Sequence, residues 1–194
     1  LADCFGLRLL NRRGCFPQFD KFIEQTKDVW THLVDIRKSF EPRAEELAKK
    51  YALAPYTMFI GSGALWGETI LFSMCILEEM QWKRTRYITS ADFFHGTLEL
   101  VEPGVPVFLF MGEDENRKLD ERVRAFLTRG VTGDTDINII DTAEFAIPGL
   151  DDEFRVIVSP WILSSLITDR LAAYYETVTK HNLNYRRYYH QFDY

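Results

Sequence analysis

Pro55-Tyr56-Thr57-Met58-Phe59-Ile60 runs into Gly61-Ser62-Gly63, and an apolar helical stretch follows from Leu65 to about Trp82. A short apolar run, a glycine turn and a long helix form the repeating unit of a parallel sheet, whose strands need a crossover to return the chain. The rhythm recurs downstream. Arg86-Tyr87-Ile88-Thr89-Ser90 reads as a second strand with a short helix from His95 to Val101, and Pro106 to Met111 as a third with an amphipathic helix from Arg117 to Arg129; Ile137 to Asp141 makes a fourth. Alternating strands and helices predict an α/β fold: a three-layer α/β/α sandwich with a mainly parallel, doubly wound, flavodoxin-like sheet. In such sheets ligands bind beyond the carboxyl ends of the strands, near the point where strand order reverses. Gly61 to Gly63, Asp92 to His95 and Gly112 to Asn116 all fall on that edge.

Outside this region the pattern is helical. Phe22, Ile23, Val29, Trp30, Leu33, Val34 and Ile36 recur at three- and four-residue spacing from Pro17 to about Ser39, and a second helix is expected from Pro42 to Tyr51, with Pro42 near its first turn. Residues 1–16, broken by Gly6 and Gly14, read as the tail of a preceding element. Pro160 to Lys180 reads as a long closing helix and Asn182 to Tyr194 as an aromatic, basic tail. The expected organisation is therefore 1–40 as the tail of a preceding domain with a linker helix, and 41–194 as one α/β domain. Because the first residue is Leu1 and not Met, a fragment with further sequence upstream is expected.

Composition narrows the function. A net charge of −6 argues against a nucleic-acid surface, which needs clustered Lys and Arg against phosphates. Small anions stay in play, since backbone N–H groups bind them whatever the net charge. Cys4, Cys15 and Cys75 have no metal-ligand spacing and read as free thiols of a reducing, cytoplasmic compartment. No uninterrupted apolar stretch of about 20 residues argues for a membrane span.

Two segments carry the chemistry. Leu77-Glu78-Glu79-Met80-Gln81-Trp82 ends the long helix with a carboxylate, and Ala91-Asp92-Phe93-Phe94-His95-Gly96 sets an imidazole sixteen positions further on, in the next strand-to-helix loop. A carboxylate and a histidine can divide the base and acid halves of a proton transfer next to a carbonyl. A lone helix glutamate is ordinarily solvated, and Glu78 is an alternative to Glu79. His95, behind two phenylalanines, is expected to be partly desolvated; His32 and His190 read as surface histidines. Gly61, Ser62 and Gly63 suit a backbone cradle for an anion or a sugar hydroxyl at a helix N-terminus, though tight strand-to-helix packing explains them equally. The dinucleotide fingerprint is incomplete because Trp66 stands where its third glycine belongs. Arg186, Arg187 and the tail tyrosines either reach over the site or grip a partner chain, and enrichment of Arg and Tyr in interfaces favours the partner.

From about Ala44 to Tyr194 the chain resembles the second sugar-isomerase (SIS) domain of two-domain phosphosugar enzymes, the fructosamine-6-phosphate deglycases foremost. The resemblance rests on Phe59-Ile60-Gly61-Ser62-Gly63 with Gly67, Ile76 through Trp82, Asp92 through Gly96, and the ending from His181 through Arg186-Arg187-Tyr188 to Tyr194. The isomerase domain of glucosamine-6-phosphate synthase is similar over the middle two pieces and keeps the same Glu-to-His interval. The resemblance implies that Glu79 is the catalytic acid/base between C1 and C2 of an open-chain sugar phosphate. It implies that His95 assists ring opening or proton transfer, reaching the partner's site in a homodimer with shared sites. No metal or organic cofactor is implied. A deglycase would release an amine or amino acid and glucose 6-phosphate; a ketose/aldose phosphosugar isomerase and a non-catalytic sugar-phosphate sensor are the alternatives. One departure stands out. The family's Ser/Thr-rich phosphate loop belongs to the first SIS domain, and here the loop after the third strand carries Glu113, Asp114 and Glu115, which are expected to repel a phosphate.

Overall fold

A computed structural model describes residues 2–130, 133 and 135–193; Leu1 and Tyr194, which bound the sequence reading, lie outside the described residues. Four strands, β1 (Tyr56–Ile60), β2 (Arg84–Ile88), β3 (Val107–Met111) and β4 (Ile137–Asp141), form a sheet in the order β2-β1-β3-β4. All three pairings are parallel. The chain steps from β1 to β2 on one side and then crosses to β3 on the other, so strand order reverses at β1 and β3, as in a doubly wound α/β fold.

Strand alternation sorts the central side chains into two cores. Phe59, Phe108, Phe110 and Ile140 face one side, where they meet buried residues of α3 (Val29–Tyr51), α6 (Asp152–Leu166) and the helical rod after β1. Met58, Ile60, Val107, Leu109 and Met111 face the other, against Phe93 of the 89–101 segment and Val123 and Leu127 of α5 (Arg117–Leu127). The first core centres on Phe59, whose ring stacks on Phe108 (5.2 Å) and Phe110 (6.0 Å) and meets Phe72 edge-on (5.5 Å). Such geometries add to plain area burial.

Helix boundaries differ from expectation at both internal prolines. Pro42 lies inside α3, which runs unbroken from Val29 to Tyr51, and Pro160 lies inside α6, which begins at Asp152. A proline costs an interior helix about 3 kcal/mol, but the buried stripe continues on both sides of each: Phe40 and Ala44 flank Pro42, Val158 and Ile162 flank Pro160. Packing of those stripes outweighs the lost hydrogen bond. At the other end of the chain, residues 2–12 form a helix, α1 (Ala2–Arg12), despite Gly6; α2 (Phe19–Thr26) follows. Phe22 of α2 belongs to the same core as α3 and α6, and Asp3 of α1 accepts the Trp161 indole N–H at 2.9 Å. Packing is thus continuous across residues 40 and 41.

The helix after β1 is a compound rod. A 3₁₀ turn (Gly63–Leu65) leads into α4 (Trp66–Ile70) and then a ten-residue π segment (Leu71–Met80). The closing helix is compound too, with a π segment (Ile167–Leu171) between α6 and α7 (Ala172–Thr179). This rod, Asp152–Thr179, is long and apolar enough to cross a membrane by length and composition, but Arg155, Asp169 and Arg170 interrupt it and half of its most apolar window is buried inside this fold.

Truncating the central ring tests the first core: Phe59→Ala is expected to lower stability by about 3–5 kcal/mol, the range for a large aromatic removed from a closed interior. Urea unfolding monitored by circular dichroism checks it.

Candidate active site

The carboxyl edge of the sheet is filled from within. Gly63 has φ +54, and a Cβ there would stand 2.1 Å from Asp114 Oδ2. Asp114 Oδ2 accepts the Ala64 N–H (2.5 Å) and its Oδ1 accepts the Asn116 N–H (2.7 Å). In this structure the Asp114 carboxylate lies at the helix N-terminus that follows Gly61, Ser62 and Gly63, a position that favours negative charge. Gly61 is needed for packing, because a Cβ would meet Thr69 Oγ1 at 2.2 Å. Ser62 Oγ accepts the Ser90 N–H (2.7 Å), Ser90 Oγ donates to Asp120 (2.5 Å), and Asp120 accepts the Gly112 N–H (3.2 Å). The acidic loop is also quenched: Glu113 pairs with Arg155, which donates further to the carbonyls of Thr142 and Phe145. Arg117 forks onto Asp141 at 2.9 and 2.6 Å. The expected repulsion of a phosphate is thus muted at Glu113 and Asp114, whose charges are already partnered.

Asp120 is 1% exposed, and burial pushes its carboxyl up to about 6, against the pull of the Ser90 and Gly112 hydrogen bonds.

The open cavity lies at the opposite, amino edge, with a volume of about 720 Å³. The rod after β1 runs back along the sheet, so its last turn brings Glu78 and Glu79 beside Pro55 and Arg84, which precede β1 and begin β2. The two carboxylates are held differently. Glu78 accepts the Thr85 hydroxyl (2.5 Å), while Glu79, 34% exposed, pairs with Arg186 Nε at 2.9 Å. Arg186 is 19% exposed and also donates to the carbonyls of Leu183 and Tyr185, both at 2.8 Å. Trp82 takes a left-handed conformation (φ 53) at the helix end, where glycine is usual. Its indole lies under the Arg187 guanidinium (4.3 Å) and against the edge of His181 (4.3 Å). Lys83 also lines the cavity, and burial lowers its pKa. One turn before Glu79, the Cys75 thiol is pushed up by burial and, secondarily, by the Glu79 charge.

The tail of the chain therefore reaches over its own carboxylate. Arg186 and Arg187 make intrachain contacts here, with Glu79 and Trp82, which is the first of the two roles read for them from the sequence. The signal available in the sequence was the basic, aromatic tail itself; its target was not legible. Lys83, Arg84 and Trp82 were missed for the same reason.

His95 falls elsewhere. It follows β2, on the carboxyl edge, and its side chain is exposed, not partly desolvated as expected. A five-residue parallel strand separates it from the Glu79 edge, roughly 16 Å at the usual rise. Glu79 and His95 of one chain do not share a site. Among the described residues no group of three or more His, Cys, Asp or Glu is arranged to hold a metal.

The buried Asp120 carries a pH signature. Its folded pKa lies above the ordinary carboxyl value of 3.8, so the folded state holds the proton more tightly. Its contribution is fully present below pH 4 and is lost as pH rises through about 6. Thermal melts at pH 4.5 and 7.5 are expected to show Asp120→Asn gaining stability relative to wild type at the higher pH, by up to about 3 kcal/mol.

Comparison with known proteins agrees with this architecture. No family model matches the chain. It is 28% identical over 188 residues to the fructosamine deglycase FrlB of Bacillus subtilis, across 95% of this chain and 54% of that protein. It is 29% identical over 194 residues to the fructoselysine 6-phosphate deglycase of Escherichia coli, across 97% of this chain and 54% of that one. The chain thus spans about half the length of the curated relatives it matches. A Salmonella typhimurium protein of solved structure, named as a phosphosugar isomerase, superposes with a TM-score of 0.86 at 26% identity, covering 97% of this chain and 57% of that one. The resemblance read from the sequence holds: the chain is related to fructosamine deglycases and has the α/β fold of phosphosugar isomerases.

Proposed function

We propose that this chain carries the acid/base carboxylate of a deglycase that hydrolyses fructosamine 6-phosphates to glucose 6-phosphate and a free amine or amino acid. The observation that carries the reading is Glu79, half-exposed at the rim of a cavity of about 720 Å³ with Lys83, Arg84 and Arg187 beside it. The named activities of the relatives support the same chemistry.

Glu79 removes a proton from C1 of the open-chain ketoamine and the C2 carbonyl becomes an enol, giving an enaminol. Returning the proton to C2 yields an imine at C1. Water adds to that carbon, the C–N bond breaks, and the amine leaves with the proton it needs. A carboxylate suits the task because it can take and give back one proton without leaving the site. Arg186 Nε fixes the carboxylate's position by an ion pair at 2.9 Å before substrate enters. The positive lining suits a substrate with anionic groups, in a chain that is acidic as a whole.

His95 enters from a second copy. A single chain keeps it a strand length from Glu79, whereas a symmetric dimer lets each subunit lend its exposed imidazole to the other's cavity. We place the enzyme in the cytoplasm, in keeping with its free cysteines.

A coupled assay for glucose 6-phosphate release from a panel of fructose-amine 6-phosphates, run on this chain and on any longer form that contains it, is expected to show turnover with at least one member. Glu79→Gln should fold normally and lose about three orders of magnitude in kcat, within the usual span for a general base. Isomerisation of a free ketose phosphate without amine release would transfer the assignment to an aldose/ketose isomerase, and saturable binding with no turnover to a sensor.

Mixing tests the shared site. Glu79→Gln and His95→Asn chains, each inactive alone, are expected to regain up to about a quarter of the wild-type rate when unfolded and refolded together, since half the dimers then hold one intact site. No recovery in dimers shown to be mixed would place both residues in one chain's site or remove His95 from the chemistry.

A further inference from the structure

A second cavity, of about 330 Å³, lies between α3, α4 and α6, and shares no lining residue with the Glu79 cavity. Its wall is a stacked indole pair, Trp30 and Trp161, with ring centroids 5.9 Å apart and planes 16° from parallel. Trp30 is 66% exposed, and Trp161 is held by its N–H on Asp3. Leu33 and Val34 continue the apolar wall. Into this setting α4 brings Glu68. Its Oε2 is buried and has no hydrogen-bond partner among the described residues. Burial pushes the Glu68 carboxyl up; the Ser164 hydroxyl pulls it partly back, and the Asp169 charge adds to the upward push. The nearby cation does not relieve it, because Arg37 is engaged with Asp169 at 2.9 Å.

We propose that this cavity is a ligand site for a small organic ammonium ion. A buried carboxylate oxygen left without a partner is costly, and a cationic N–H donor is the group that offsets that cost most fully. Indole faces attract the same ligand, since an ammonium over a Trp ring gains electrostatic energy and its hydrocarbon body is shielded from water. With Asp169 and Arg37 paired to each other, Glu68 is the carboxylate left to disfavour an anion, and a neutral apolar molecule leaves its oxygen unpaired. The volume lies at the lower end of small-molecule pockets, which start near ~300 Å³. A primary amine with one ring or a short alkyl chain matches both size and charge.

Calorimetric titration of the full chain with benzylammonium chloride and with benzyl alcohol, a neutral ligand of nearly the same shape, tests the assignment. Benzylammonium is expected to bind at least ten times more tightly than benzyl alcohol at pH 7.5. Glu68→Gln, with folding checked by circular dichroism, should erase that preference. Lowering the pH toward 4.5 should weaken benzylammonium in the wild type as the carboxyl takes up a proton. Equal binding of the two ligands, a preference retained in Glu68→Gln, or binding of neither to folded wild-type protein would overturn the proposal. Should Glu68→Gln fail to fold, the wild-type ligand pair and its pH dependence decide.

Discussion

The parallel pairing of β1 with β2 is the constraint from which the functional geometry follows. Two parallel neighbours require the connecting chain to travel the whole length of the strand before it can start again. The rod from Trp66 to Met80 makes that return, which delivers Glu79 to the amino edge, and β2 then carries the chain forward to His95 on the carboxyl edge. A short interval in sequence thus becomes the full height of the sheet in space. The proposed pairing of both residues in one site therefore calls on a second copy of this fold.

The carboxyl edge, where doubly wound sheets ordinarily hold their ligands, is braced by its own side chains. Asp114 occupies the helix N-terminus, Arg117 closes on Asp141, Arg155 closes on Glu113, and Asp120 ties Ser90 to Gly112. Together these contacts tie the segments that follow β1, β2, β3 and β4 to one another, so the edge is braced by charge and hydrogen bonding above two apolar cores. Buried carboxylates are tolerable there because each has a partner. Asp120, without a cation of its own, takes the strain as a raised pKa.

The amino edge works the other way. A protein with a net charge of −6 concentrates Lys83, Arg84, Arg186 and Arg187 around one cavity, and its two carboxylates there are tied to Thr85 and Arg186. The tail supplies half of those cations. The left-handed Trp82 is the pivot, since it turns the chain out of the rod and offers the indole on which Arg187 and His181 rest.

Much of this was legible in the amino-acid order. The four strands, the parallel α/β class and the carboxylate at the end of the long helix follow from apolar runs, glycine turns and helical spacing, all local properties of a few consecutive residues. Prolines misled at 42 and 160, because a rule about the lone helix gives way where a buried stripe such as Phe40, Ala44 and Leu47 continues past the ring. What only the tertiary structure decided was which distant groups meet: Arg186 with Glu79, Asp114 with Ala64, Glu68 with the Trp30–Trp161 pair, and Glu79 apart from His95. Those outcomes depend on chain closure and sheet direction, and neither leaves a signature in the spacing of neighbouring residues.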